Sequence, residues 1–186
     1  MPRIKKSEPT IKGLFVNSHV NRLKEAKGEE AVRELERLYG SGVAFKNLED
    51  VPVREEVRII ELCLQILDPA LAAGPERLEE AGRLHFRNFA ETRLGTVLLA
   101  SLPHTPQSLK TLLLNVGSIG RSVFKHTNLS GTEQRGGVVV VMENTDYPAE
   151  HFAGFFAEWA LHYGLPRGAV RTETEDSTHR YIISGF

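Results

Sequence analysis

Apolar positions recur along this chain first at helical and then at strand spacing. In GEEAVRELERLY, Val32, Leu35 and Tyr39 stand at i, i+3 and i+7. Acidic residues open that stretch and Gly40 and Gly42 close it, which predicts an amphipathic helix. From Pro52, VREEVRIIELCLQIL carries two adjacent stripes: Val57, Ile60, Leu64 and Leu67, then Ile59, Cys63 and Ile66. A helix apolar over that width belongs at the centre of a core. Asp68-Pro69 and Ala73-Gly74 break the pattern, and Pro75 is placed to open a third helix, whose pattern runs from Leu78 to Leu102. A fourth is predicted over 106–125, with Thr105 as its N-cap, Pro106 at its first position and Leu109, Leu112, Val116, Ile119 and Val123 along one face. Gly117 and Gly120 inside it each cost up to about 1 kcal/mol relative to alanine. They mark close approach of another backbone or of a ligand.

The pattern then turns to strands. TNLSGTEQRGG reads as turn-rich, and GGVVVVMEN as a strand too uniformly apolar to face water on one side. Tyr147-Pro148 opens a fifth helix, AEHFAGFFAEWALHYG, with Phe152, Phe155, Trp159 and Tyr163 on its inner face and Gly164 as its stop. GAVRTETE and HRYIISGF alternate as an antiparallel pair with one solvated face. IKGLFV (11–16) reads as a short opening strand, and residues 1–10 as a flexible arm. Helices first and strands last predict one α+β domain over 11–186: N-terminal helices packed with a small antiparallel C-terminal sheet that carries one further helix.

Composition narrows the classes. The 23 basic and 24 acidic residues provide no field for nucleic acid, and Arg3, Lys5 and Lys6 read as a solvated tail. No stretch approaches the roughly 20 apolar residues of a membrane span, so a soluble, cytoplasmic chain is expected. The single cysteine, Cys63, excludes an internal disulfide and a multi-cysteine zinc site. Lying in IIELCLQIL, it reads as a small core hydrophobe.

No catalytic set assembles. Ser118, in Val-Gly-Ser-Ile-Gly, lies inside a predicted helix and not at a strand-to-helix elbow. GSIGRS lacks the lysine of a phosphate loop. The seven histidines show no His-x-x-x-His pair and are expected at or near the surface, with no metal site. Glu79, Glu80, Arg83, Arg87 and Glu91 form either a solvated, salt-bridged face or, if Arg83 and Arg121 converge, a cleft for an anionic group. The sequence closeness of Arg121, His126 and Arg135 leaves a cleft enzyme as a further rival. Phe155 and Phe156 are adjacent and point about 100° apart, so the cluster Phe152, Phe155, Phe156 and Trp159 is expected to present a homodimer contact.

The order of IKGLFV, AGRLHFRNFAETRLG, VFKHTN and FAGFFAEWALHYGLPRGAVRTETE…HRYIISGF resembles a superfamily of three branches. These are haem–nitric-oxide-binding (H-NOX) domains, 4-vinyl-reductase-type ligand domains and small TRAPP tethering subunits, with a bacterial paralogue family of this length nearest. The resemblance implies a sensor or adaptor. Its haem-binding members hold iron through a histidine on the helix corresponding to 106–125 and grip the propionates through Tyr-x-Ser-x-Arg. Here that helix has no histidine and no Tyr-x-Ser-x-Arg occurs. Only His104 or His126, at its ends, remain for a haem or tetrapyrrole sensor. The cysteines of the 4-vinyl-reductase branch are also absent from TETEDSTHRY. The expectation is therefore a non-enzymatic module without a cofactor, probing an apolar ligand or a regulatory protein partner. Its pocket is expected at Arg83, Phe86, Phe89, Leu113, Gly117, Gly120, Arg121 and Phe124.

Overall fold

Continuous apolar periodicity hides where a helix stops, and the computed structural model, which describes residues 7–175 and 178–186, places several stops the pattern conceals. The chain runs β1 (Thr10–Lys12), α1 (Gly13–Lys27), α2 (Glu29–Tyr39), β2 (Asp50–Pro52), α3 (Val53–Leu67), α4 (Pro75–Glu91) and α5 (Arg93–Ala100). It continues through α6 (Pro106–Leu114), α7 (Val116–Val123), β3 (Phe124–Lys125), β4 (Asn128–Gln134), β5 (Gly137–Glu143), α8 (Ala149–His162), β6 (Val170–Glu175) and β7 (Thr178–Ser184). This is the expected α+β class.

Four expectations need correction. The opening strand ends at Lys12; GLFV begins α1, whose buried Phe15, Val16, His19 and Leu23 share a face. The helix expected over 78–102 breaks at Thr92, whose hydroxyl accepts from the Gly95 amide at 3.0 Å and donates to the Phe89 carbonyl at 2.7 Å. That local bonding competes with the helical ladder and starts α5 afresh. The helix expected over 106–125 breaks at Asn115 (φ −103°, ψ 9°), beyond an α6 that Thr105 caps as expected. The turn-rich TNLSGTEQ is strand β4, fully paired with β5 from Asn128↔Glu143 to Gln134↔Gly137. It is an edge strand with a largely exposed polar face, so no apolar alternation announced it.

All strands are antiparallel, in a three-stranded sheet β2-β1-β3 and a four-stranded sheet β4-β5-β7-β6. Within the stretch expected as a flexible arm over 1–10, Thr10 pairs in β1 and Glu8 forms an ion pair with Arg54 at 2.8 Å, while residues 1–6, Arg3, Lys5 and Lys6 among them, lie outside the described residues. Helix α8 is the centre of the core. Phe155 meets Phe86 and Phe89 of α4 on one side, while Phe156 meets Tyr181 of β7 on the other. As the uniform apolar run of β5 predicts, Val139 is buried as well as Val138, Val140 and Met142.

Candidate functional site

Two glycines let α4 and α8 approach to backbone contact. A Cβ at Gly82 would overlap the His151 carbonyl, and one at Gly154 would overlap the Glu79 carbonyl. His85 follows Gly82 by three residues and His151 precedes Gly154 by three, so both imidazoles project into the crossing. They meet there, His85 Nδ1 to His151 Nε2 at 2.9 Å. Helices α1 and α3 complete the surroundings. His19 Nε2 lies 2.6 Å from Glu56 Oε1, which is 3.6 Å from His85 Nδ1. Asn88 Nδ2 donates to His19 Nδ1 at 2.8 Å.

His19, Glu56, His85, Asn88 and His151 are all at most 3% exposed. Burial by itself pushes the Glu56 carboxyl up, but the imidazoles of His85, His19 and His151 outweigh it and bring it down to about 2. Burial takes His85 down to about 3 and His151 to about 4, against the pull of Glu56. The Tyr147 phenol is raised well above 10 by burial and then by Glu56. Near neutral pH the cluster therefore holds the Glu56 carboxylate beside neutral His85 and His151 rings. Glu56 Oε2, Asn88 Oδ1, Tyr147 Oη and His151 Nδ1 are buried without a hydrogen-bond partner. The donor atoms of His19, Glu56 and His85 lie within 4.8 Å of one another, so this trio is able to hold a cation.

His85 also lines an apolar cavity of about 40 Å³ between α4, α7, α8 and β4. Phe89, Ile119, Val123, Leu129, Phe156 and Trp159 are among its walls. Trp159 stacks between Phe86 (interplanar 26°) and Phe156 (13°). On the far wall Gly117 and Gly120 lie against Leu129 of β4, where a Cβ would come within 2.7 Å and 3.0 Å of its atoms. Close packing accounts for both glycines, and Gly120 also lines the cavity.

Of the pocket residues expected from sequence, Phe89, Gly120 and Phe124 line the cavity. Phe86 and Leu113 are core residues. Arg83 pairs with Glu79 and Glu80 beside a separate groove, and Arg121 is an exposed side chain on Ser118, so the two arginines belong to different surroundings. Phe152, Phe155, Phe156 and Trp159, expected at an interface, are buried within the chain and line the cavity instead. Sandwiching α8 between α4 and the sheet gives both adjacent phenylalanines an internal partner. The histidines were expected near the surface, yet His19, His85, His151 and His179 are buried. The mirrored Gly-x-x-His and His-x-x-Gly of α4 and α8 was the available signal. Cys63 is buried as expected, its thiol pushed up to about 12 by burial and then by Glu56.

Residues 5–184 match the family described as "Protein of unknown function (DUF2378)", and the chain belongs to it. No curated protein matches. Among solved structures it is similar to a mutant H-NOX from T. tengcongensis, with 16% identity, a TM-score of 0.61 and 93% and 97% of the two chains covered. It is also similar to an oxygen-binding H-NOX domain related to soluble guanylate cyclases, at 15% identity, TM-score 0.59 and 92% of each chain. A third is an Fe(II) unliganded H-NOX mutant from K. algicida, at 13% identity, TM-score 0.56 and coverage of 93% and 95%. At such identity the likeness is one of fold. That fold is H-NOX-like, as the resemblance implied. No helix among the described residues is long and apolar enough to cross a membrane.

Proposed function

We propose that the chain is a non-enzymatic sensory module of H-NOX-like fold whose interior takes a small apolar ligand in place of haem. The neighbours' descriptions, one an oxygen-binding domain and one an Fe(II) unliganded protein, favour small-ligand binding over adaptor work. The observation that carries the reading is the cavity itself: apolar, ringed by aromatics and bordered by a single imidazole. Binding there would act on α7 and β4, which meet through the Gly117 and Gly120 notch.

The interior does not fit a haem. Ligand pockets of that class occupy about 300–1,000 Å³, whereas the aromatic rings leave about 40 Å³ here. Helices α6 and α7 contain no histidine. His104 packs on His162 and Tyr163 outside the cavity, and His126 is exposed in a left-handed conformation (φ 68°). Space of this size suits a diatomic gas or a single noble-gas atom, far below the roughly 150 Å³ that admits benzene.

Xenon tests the reading. One xenon bound against Phe89, Ile119 and Phe156, detected by ¹²⁹Xe NMR or in a pressurised crystal, is the expected result; an interior that takes up none removes it. Haem sensing is the second reading because the neighbours are H-NOX domains, two of them described by their haem, and a haemin titration decides it. A saturable one-to-one Soret shift would replace the proposal with a haem site, and its loss in His104→Ala or His126→Ala would name the axial ligand.

A further inference from the structure

We infer that His19, Glu56 and His85 form a site for a divalent first-row transition-metal ion, zinc or ferrous iron, with His151 beside it as the next donor. This stands on the polar cluster and is independent of what fills the cavity. Two imidazoles and one carboxylate are a donor set that suits such ions, and three protein ligands leave a position open.

The Glu56 carboxylate is fully buried; taking such a group out of water is costly, and apolar residues of similar volume are often as stable or more so. The site also leaves four polar atoms unpaired: Glu56 Oε2, Asn88 Oδ1, Tyr147 Oη and His151 Nδ1. Each such atom is unfavourable, and native proteins hold only a few per 100 residues. Here they crowd one point where α1, α3, α4 and α8 meet.

The geometry agrees: Glu56 Oε1 lies 3.6 Å from His85 Nδ1 and 2.6 Å from His19 Nε2. Ligands about 2.0–2.2 Å from one ion stand some 3.3–3.6 Å apart, so a small swing of the carboxylate, with Oε2 free to follow, opens the space. Rotating the Asn88 amide brings its unpaired Oδ1 onto His19 Nδ1. That nitrogen then donates, and Nε2 is left to face the ion, which is the outer-shell arrangement metal-bound histidines use. His151 Nε2 lies 2.9 Å from His85 Nδ1, beside the trio.

Because the donors are buried, the ion is expected to load as the chain folds. The test therefore refolds the full chain with Co²⁺, Zn²⁺ or anaerobic Fe²⁺ and measures bound metal and the Co²⁺ visible spectrum. One ion per chain is expected, with a four- or five-coordinate Co²⁺ spectrum. Glu56→Gln should weaken binding by more than the roughly 10–100-fold of an outer-shell loss. His104→Ala should leave it unchanged, since the surface pair His104–His162, with ring centroids 4.6 Å apart, is the obvious competitor. If Glu56→Gln does not fold, X-ray absorption of the loaded wild type decides, and at least two imidazoles in the first shell are expected. A refolded chain that holds no ion at micromolar metal, a shell without two imidazoles, or binding abolished by His104→Ala overturns the inference.

Discussion

Phe156 shows what a single residue's neighbours decide. Its ring is 1% exposed, stacked on Trp159 and 5.0 Å from Tyr181. A buried phenylalanine truncated to alanine costs about 3–5 kcal/mol, so Phe156→Ala should lower the denaturation midpoint by a corresponding amount at unchanged m-value. Had the ring stood at an interface, the change would appear in subunit association while the fold kept its stability. Urea unfolding followed by Trp159 fluorescence, with light scattering on the same sample, separates the two. The aromatic spacing was legible in the sequence. The partners were not, because β7 reaches the ring from 25 residues away along the chain, and no local pattern encodes that approach.

Elements are placed by where backbones touch. Gly82 and Gly154 remove the side chains that would hold α4 and α8 apart, and that contact lets His85 and His151 meet. Overpacking usually costs about 1–3 kcal/mol and occasionally more. Because a Cβ at Gly82 would strike the His151 backbone and not a flexible side-chain end, Gly82→Ala should reach at least about 3 kcal/mol by chemical denaturation. Gly28→Ala serves as a contrast: it meets nothing within 4 Å but is strained at φ 82°, so its loss would be of conformational origin. A Gly82→Ala variant as stable as wild type would show that the helices slide freely. Helix identity was legible from periodicity for α2, α3 and α8. The breaks at Thr92 and Asn115 were not, since the apolar stripe continues across both: a side-chain hydrogen bond restarts the helix at Thr92, and at Asn115 the backbone alone departs from helical angles. Strand β4 escaped notice because its polar outer face conceals the pairing.

At the scale of the molecule, α8 separates two interiors: the polar cluster where it crosses α4, and the apolar cavity it shares with α7 and β4. The class of fold was legible from the order of helices and strands. The candidate site was not, because its histidines and glutamate sit on four helices spread from residue 19 to residue 151, and only packing makes them neighbours. Trp159 offers the test of whether the apolar interior is a binding space or a filled core. It lines the cavity and is 2% exposed. Trp159→Ala should cost about 3–5 kcal/mol while joining the vacated volume to the existing void. If the surrounding rings hold their positions, indole should enter and restore stability, by about 2.7 kcal/mol at a hundred times its Kd. Thermal unfolding with and without millimolar indole measures this. No recovery in a folded Trp159→Ala protein would mean that α7 and α8 collapse into the gap, and an interior that closes so readily would not serve as a ligand chamber.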